Sequence, residues 1–397
     1  MLIMSRWLSE LAANVPEYSI MEIAKYASAY RAEDMVYLNI GEPDFDTPGY
    51  IREKAIEAIQ SGKTHYTPDS GIVELREAIA KKLRLENNLN YSVDDITVVS
   101  GSQEGISVVT QALLNHGDEV ILSDPYYPSY TQNIWLRGAK PVFVPLRAEN
   151  GFQMMAEDVE KAVTDKTKAI VIVSPNNPTG GVQSLEQLKA IAEIAIKHDL
   201  VVISDEIYEY IVYDGQTHHS IGSLPGMLER TITQNGFSKS YAMTGWRIGY
   251  LATPRELTPK IQEIHRATVI CPPSVSQYAA LAAITGPQDS VRRMVDEFSR
   301  RREFIVKRLR EIPHVNVAAP SGAFYAFPDF SDYTNDDKAL AKNLIKHAHV
   351  VTVHGSGFGE LGRGHLRISF AASLSKLEEG LNRIEDYLRK NWPEKFT

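Results

Sequence analysis

Short runs of β-branched and other apolar residues recur between residues 96 and 252, and helix-forming stretches such as residues 185–198 separate several of them. Near-continuous apolar runs are typical of strands that are covered on both faces of a sheet. Strands that alternate with helices favour an α/β unit with a mostly parallel sheet. The pattern predicts seven strands, at residues 96–99, 119–122, 141–144, 169–173, 200–203, 230–233 and 247–251.

The C-terminal part of the chain has a different pattern. Amphipathic helices are predicted at residues 290–312 and 374–390, and strand signals lie between them at residues 314–318, 323–327, 350–353 and 365–369. This mixture predicts a smaller α+β unit. Ser19 and Glu22 fit a capping box for an early helix, which we expect to pack with that unit. The predicted division is 1–45 for the N-terminal arm, 46–285 for the large domain and 286–397 for the small domain.

Composition and charge exclude several classes of protein. The 397 residues are 43% hydrophobic and 23% charged, as in an ordinary globular protein, and the net charge of −8 disfavours nucleic-acid binding. Cys271 is the single cysteine, so neither an intramolecular disulfide nor a cysteine-based zinc cluster is expected. No leader-like start and no apolar stretch of about 18 residues is present. We therefore expect a cytoplasmic protein without membrane or metal partners.

Ligands of open α/β sheets bind outside the carboxyl ends of the strands, so the residues that follow each strand are the candidates for a site. The glycine-rich turn at residues 101–105 leads into a helix and could offer backbone N–H groups to a phosphate. The aromatic residues at 126–130 could stack on a planar ring, and Asn177 in the loop 174–181 could donate its amide. Each of these signals also fits an ordinary turn or a local core.

Two charged residues at predicted strand ends are harder to explain as structure alone. Asp205 ends a buried strand, where a carboxylate is costly without a partner. Lys239 follows another strand among serine, glycine and aromatic residues, and a lysine there could be a nucleophilic amine. Arg247, eight residues further on, suits a phosphate. These residues favour a site that holds a phosphorylated cofactor.

Three other features are interpreted as structural. The glycine-rich segment 355–359 lacks a following βαβ unit and is predicted to be a turn. The cluster of His218, His219 and Ser220 has no partner at metal-ligand spacing, so a surface loop is expected. The arginines at 300–302 are predicted to form a solvated helix face.

Taken together, these residues resemble the class I and II aminotransferases, which are fold-type I enzymes dependent on pyridoxal 5′-phosphate (PLP). The segment 236–249 is similar to the lysine signature of the family, and residues 177–180 and 205–208 match two further hallmarks in the same order. Residues 41–48, 65–68, 321–325 and 365–369 extend the resemblance over nearly the whole chain. Archaeal and bacterial enzymes of the aspartate and aromatic types are the most similar in general appearance.

The resemblance implies a role for each matching residue. Lys239 would be the Schiff-base lysine and proton shuttle, and Asp205 would pair with the pyridinium nitrogen. Arg367 would bind the substrate α-carboxylate, assisted by the Gly41 backbone. Tyr208 and Asn177 would contact the ring oxygen of the cofactor, Asn177 would also help to bind the substrate carboxylate, and Tyr127 would stack on the ring face. The residues at the phosphate would be Ser102, Gln103, Ser238 and Arg247. Tyr66 from the second subunit of a homodimer would join them there.

The expected activity is ping-pong transfer of an amino group between an L-amino acid and a 2-oxo acid, with 2-oxoglutarate as the expected acceptor. Ser102 and Tyr127 stand where many aspartate-specific members have lysine and tryptophan, so aspartate, aromatic or broad specificity all stay open. The alternative is a PLP-dependent lyase, such as a C–S lyase, which would share Lys239, Asp205 and Arg367.

Overall fold

A computed structural model describes residues 7–30 and 32–397. Its α-helices are α1 (Glu10–Ala13), α2 (Ser19–Tyr30), α3 (Gly49–Gln60), α4 (Val73–Glu86), α5 (Ser102–Leu113), α6 (Pro128–Trp135), α7 (Ala156–Ala162), α8 (Leu185–Lys197), α9 (Thr258–Val269), α10 (Ser274–Thr285), α11 (Asp289–Glu311), α12 (Asp337–Asn343) and α13 (Leu374–Asn391). No helix within the described residues is long and apolar enough to cross a bilayer.

The strands fall into one large sheet and two smaller ones. They are β1 (Val36–Tyr37), β2 (Ile96–Val99), β3 (Glu119–Asp124), β4 (Lys140–Pro145), β5 (Thr167–Val173), β6 (Val201–Asp205), β7 (Thr231–Gly236), β8 (Gly249–Ala252), β9 (Tyr325–Ala326), β10 (Val350–Val351), β11 (Val353–His354) and β12 (Leu366–Ser369).

The large sheet has seven strands in the order β2-β8-β7-β6-β5-β3-β4. Only β8 runs antiparallel to its neighbours, β2 and β7. The prediction of a mostly parallel seven-stranded sheet is therefore confirmed. In the register of the sheet, Val173 pairs with Asp205 and Asp205 pairs with Gln234, so the carboxyl ends of β5, β6 and β7 meet at one edge.

Helices cover both faces of this sheet, as the apolar strands require. On β5, Ile170 and Ile172 belong to a core that includes residues of α8. The intervening residues Ala169 and Val171 belong to a core with residues of α5, α6 and α9. This alternation follows from the two-residue period of a strand, which sends successive side chains to opposite faces.

The C-terminal part forms a smaller α+β unit around its own apolar core. Strands β11, β12 and β9 form an antiparallel sheet in that order, while β1 pairs in parallel with β10. Helices α11 and α13 contribute buried residues to this core, and α2 contributes Ile23 and Ala27. The segment before the large sheet thus packs here. The domain boundaries given above stay a prediction.

Two local predictions are wrong. Residues 314–318 form no strand, and Asn316 makes only an isolated bridge with Asp329. The apolar side chain of Val315 packs in the core of the smaller unit. Ser19 and Glu22 form no capping box, since α2 already includes Ser19, whose hydroxyl donates to the carbonyl of Gly357. The Glu22 carboxylate instead pairs with lysines of α12.

The prediction that the arginines at 300–302 form a solvated helix face is also wrong in part. Arg300 is exposed, but Arg301 and Arg302 are buried. Arg301 pairs with Asp44 at 2.7 Å, and Arg302 pairs with Asp214 at 2.6 Å. These two ion pairs join α11 to segments distant in sequence and are therefore structural. The spacing of charged residues along a helix does not distinguish such buried arginines from exposed ones.

The expected surface loop around His218 is wrong as well. The His218 ring is largely buried beside Glu206, with Nε2 at 3.1 Å from the carboxylate, and Ser220 donates to the same carboxylate. Ligand atoms of Glu206, Glu209 and His218 lie within 4.8 Å of one another. Lys82 donates to Glu209, so an ammonium group already balances this buried charge. The spacing of these residues along the chain did not predict the cluster, because folding brings Glu206, Glu209 and His218 together. The segment 355–359 does form short helical turns, as predicted.

Candidate active site

A cavity of about 450 Å³ opens at the carboxyl ends of β5, β6 and β7, between the large sheet and the smaller unit. It brings together every site residue that the sequence predicted except Tyr66. Those lining residues are Gly41, Ser102, Gln103, Tyr127, Asn177, Asp205, Tyr208, Ser238, Lys239, Arg247 and Arg367. Residues separated by more than 300 positions therefore share one concave surface, as expected for a site at the sheet edge.

Lys239 projects into this cavity from the loop after β7. Its ammonium group donates to the carbonyl of Gly41 and lies 5.9 Å from the centre of the Tyr208 ring. Burial, reinforced by the positive charge of Arg367, lowers the pKa of Lys239 to about 8. Near neutral pH a useful fraction of this lysine is thus a free amine, which is the nucleophilic form.

Asp205 ends β6 with its carboxylate buried. The Tyr130 hydroxyl donates to it at 2.8 Å and the Gln234 amide at 3.1 Å. Burial raises the pKa of Asp205 to about 6, although these two donors oppose the rise. The protein supplies no cation in direct contact with this carboxylate among the hydrogen bonds and ion pairs of the described residues. A cationic ligand group would therefore be stabilised there.

Arg367 lies on β12 and is almost fully buried. One nitrogen donates to the Asn177 side chain at 3.0 Å and another to the carbonyl of Asn39 at 2.7 Å. Its guanidinium is held between the rings of Tyr325 and Phe358, at 4.6 and 5.1 Å. Its Nε has no partner among the described residues. The group is thus fixed in orientation, with donor capacity left for a carboxylate.

The turn between β2 and α5 brings backbone N–H groups beside an arginine. Gly101 has a φ of +84°, and a Cβ there would lie 2.4 Å from Nη2 of Arg247. Arg247 in turn donates to the carbonyl of Thr244 at 2.7 Å. Ser102 is the first residue of α5, where the helix presents free N–H groups. Together these groups form a cradle that could hold an anion.

Aromatic hydroxyl groups form the remaining polar wall. Tyr208 and Tyr325 share a hydrogen bond of 2.9 Å, and burial raises the pKa of Tyr208 above its usual range. Tyr18 donates to Tyr127 at 3.0 Å. Burial likewise raises the pKa of Tyr127, so both hydroxyls stay protonated and can donate.

Tyr66 is the predicted site residue that the chain does not bring to the cavity. Its side chain is 82% exposed, on the loop before α4. Its predicted contribution to a second subunit stays a prediction.

Sequence reasoning missed four residues that shape the site, namely Tyr18, Tyr130, Gln234 and Tyr325. A signal existed for Gln234, because an amide within a fully buried strand needs a polar partner. Tyr130 lies in the first turn of α6, three positions after the N-cap residue Tyr127, and the rings of the two make an edge contact. Tyr325 ends the matched segment 321–325, whereas nothing local marks Tyr18.

Comparisons with known proteins agree with this geometry. The sequence profile of the family "Aminotransferase class I and II" matches residues 33–384. Aromatic-amino-acid aminotransferase 2 of Thermococcus litoralis is 44% identical over 361 residues, which cover 90% of this chain and 92% of that protein. A probable aspartate/prephenate aminotransferase of Aquifex aeolicus is 43% identical over 395 residues, covering 98% and 100%.

Solved structures give the same result. The aromatic aminotransferase of Pyrococcus horikoshii superposes with a TM-score of 0.88 at 42% identity, covering 93% of this chain and 99% of that one. The fold and the site define an α/β transaminase, an enzyme that transfers amino groups. The chain belongs to the class I and II aminotransferase family, whose members depend on PLP. These relatives are named as aminotransferases, and the lyase alternative is not favoured.

Proposed function

We propose that the cavity binds PLP and an L-amino acid, and that the enzyme transfers the amino group to a 2-oxo acid in a ping-pong sequence. The observation that carries this proposal is the placement of Lys239, Asp205 and Arg367 around one cavity. An amine with a lowered pKa, a buried carboxylate and an oriented guanidinium are the three groups that this chemistry needs from the protein.

The residues present fit the cofactor. The cradle of Gly101, Ser102 and Arg247 suits a phosphate, with Gln103 and Ser238 beside it. Asp205 suits a protonated ring nitrogen, because a cation there would relieve the cost of burying its carboxylate. When bound, PLP supplies an electron sink for the pair released as the Cα–H bond of the substrate breaks.

The protein groups then divide the remaining work. The Lys239 amine would take the proton from the substrate Cα and pass it to the bound cofactor, which its pKa of about 8 permits near neutral pH. Arg367, held by Asn177 and Asn39, binds the α-carboxylate and orients the Cα–H bond. The protonated hydroxyl of Tyr208 donates to the ring oxygen of the cofactor.

The walls of the cavity favour an apolar or aromatic substrate side chain over a dicarboxylic one. Among the described residues, its lining cations are Lys239, Arg247 and Arg367, and each has a role in the proposal above. The N-terminal segment supplies Tyr18, Ile20, Met21 and Ile40 to the wall, together with Gly41 and the acidic Glu42. It offers a distal carboxylate no counter-charge, whereas apolar side chains bury area there.

The names of the relatives span both possibilities, since one is called an aromatic and another an aspartate/prephenate aminotransferase. The proposed preference for apolar or aromatic substrates therefore depends on the residues of the cavity wall. The acceptor proposed is a 2-oxo acid, with 2-oxoglutarate as the first to be tested.

Absorbance spectroscopy of the PLP-loaded enzyme tests both parts of the proposal. Amino acids should bleach the visible band of the bound cofactor, and 2-oxoglutarate should restore it. Phenylalanine, tyrosine and leucine should give a larger kcat/KM than aspartate. If no amino acid changes the spectrum, transamination is refuted; if aspartate is preferred, the assignment of the apolar wall is wrong while transamination stands.

A further inference from the structure

The inference concerns His265, a histidine of α9 that the proposed chemistry does not use. The side chain is completely buried, at 0% exposure. Its Nδ1 lies 2.6 Å from a carboxylate oxygen of Glu104, and its Nε2 lies 2.8 Å from the backbone carbonyl of Asp69. Both neighbours are hydrogen-bond acceptors, and a carbonyl oxygen can be nothing else.

This geometry determines the protonation state of the ring. A neutral imidazole has one N–H group and could satisfy only one of two acceptors. Both acceptors are satisfied together when both ring nitrogens carry a proton, so the geometry favours an imidazolium at His265. Burial alone would lower the pKa of His265, but Glu104 and the Asp69 carbonyl raise it above its ordinary value.

The two partners of His265 belong to the two segments that would hold phosphate. Glu104 lies in the first turn of α5, and its second oxygen accepts the N–H of Ser100, immediately before Gly101. It thus sets the geometry of the cradle formed by Gly101, Ser102 and Arg247. Asp69 belongs to the loop of residues 65–70, which carries the exposed Tyr66.

The loop 65–70 has other attachments to the large domain. The backbone N–H of Val98 on β2 donates to the carbonyl of Ser70 at 3.0 Å, at the end of the loop. The amide of Gln277 donates to Thr67 at 2.9 Å, and Arg266 lies 3.6 Å from the Asp69 carboxylate at the surface. The charged groups facing His265 are Glu104 from α5 and Asp69 from the loop. Within the described residues, His265 is the buried side chain that bonds to both the loop and α5.

We propose that His265 is a positioning residue that, as a buried imidazolium, ties the Tyr66 loop to the phosphate cradle of its own chain. In a dimer, Tyr66 would contact the cofactor bound to the partner chain. The hydrogen bonds of His265 would then fix the position of Tyr66, which belongs to the partner's site, relative to the phosphate cradle of its own chain. The inference rests on the proposed binding of PLP and concerns its phosphate end alone.

Cofactor binding by His265→Gln and Glu104→Gln tests the proposal, with PLP and with pyridoxal, which lacks the phosphate. Both variants should bind PLP at least about tenfold more weakly, because a buried charge-assisted bond is lost. Their affinity for pyridoxal should match that of the wild type. His354→Gln is the matched control, since His354 is also buried but lies in the smaller unit; it should keep its PLP affinity.

A double-mutant cycle with Tyr66→Phe tests the link to the loop. The effect of Tyr66→Phe on PLP affinity should be several-fold smaller in the His265→Gln background, because Tyr66 would already be misplaced. Additive effects would refute the link. Nitrogen-15 NMR of the wild type gives a result that does not depend on folding of the variants: both ring nitrogens of His265 should be protonated at pH 7.5, and a neutral ring would overturn the proposal.

The outcomes also separate this inference from the proposed function. If the wild type fails to bind PLP through Lys239, the proposed function fails. If the wild type binds PLP and the His265→Gln variant binds it equally well, or loses PLP and pyridoxal affinity to the same degree, only the positioning role is refuted.

Discussion

Two buried aspartates at strand ends, Asp205 on β6 and Asp124 on β3, show how contacts decide the role of a residue. Burial raises the pKa of each to about 6. Asp205 accepts side-chain donors and faces the cavity, whereas Asp124 accepts the backbone N–H groups of Glu360 and Leu361. The first is placed for a ligand, and the second holds the large sheet to the smaller unit.

This pair provides a matched test of the role of Asp205. Asp205→Asn should weaken PLP binding and lower kcat by about two orders of magnitude, because the negative charge beside the ring nitrogen is lost. Asp124→Asn removes an equally buried strand-end charge and should leave PLP affinity within about twofold. Equilibrium dialysis and steady-state kinetics measure both. Turnover like that of the wild type in Asp205→Asn would refute the assignment.

The lowered pKa of Lys239 predicts a pH dependence in the cofactor-free protein. Below pH 8 the side chain is an unreactive ammonium group, and above pH 8 it is a free amine. Its rate of acylation, followed by peptide mapping, should therefore reach half its maximum near pH 8. A midpoint near 10.5, the ordinary value for lysine, would show that burial and Arg367 do not affect this amine.

Among the elements, the turn from β2 into α5 has the most demanding backbone. Gly101 has a positive φ and no room for a Cβ beside Arg247, while Gly117 has a φ of +91° in open space. A side chain at either position strains the backbone, but only at position 101 does it meet a functional group. The two glycines therefore separate backbone strain from damage to the cradle.

Alanine substitutions at these two positions give the prediction for this element. Gly101→Ala and Gly117→Ala should each lose about 1 kcal/mol of unfolding free energy through the positive φ. Only Gly101→Ala should also lose PLP affinity, since its Cβ displaces Arg247. Denaturant unfolding and cofactor titration distinguish the effects. Equal PLP affinity in the two variants would mean that the turn does not bind the phosphate.

For the whole molecule, the exposed position of Tyr66 fits a site that a second chain would complete. The cavity gathers residues from both units of the chain, from Gly41 to Arg367, yet Tyr66 is outside it. In a homodimer, each chain could contribute Tyr66 to the site of its partner. We propose that arrangement, since Tyr66 is 82% exposed and lies outside the cavity of its own chain.

Mixing two inactive variants tests the shared site. Lys239→Ala lacks the essential amine, and Tyr66→Ala lacks the lent hydroxyl. A mixed dimer contains one site with Lys239 from one chain and Tyr66 from the other, so refolding the variants together should restore activity above that of either alone. Absence of any gain, with mixed dimers shown by sedimentation, would place Tyr66 in its own chain's site or outside any site.

Much of the fold was predictable because strands buried on both faces carry an apolar signal that is local in sequence. All seven strands of the large sheet, the helices α11 and α13, and the short β9 and β12 lie at or close to their predicted positions. The absent strand at residues 314–318 shows the limit of this signal, because an apolar run such as that around Val315 also arises from packing in a loop.

The sequence by itself determined which chemical groups lie at the strand ends, since Asp205, Asn177 and Lys239 each follow an apolar run. Tertiary structure alone decided which partners those groups have. Tyr130 and Gln234 hold Asp205, His265 bonds to Glu104, and Arg301 is buried instead of solvated. The physical reason is that burial and hydrogen bonding depend on neighbours brought together by folding, whereas periodicity records only the face on which a residue lies.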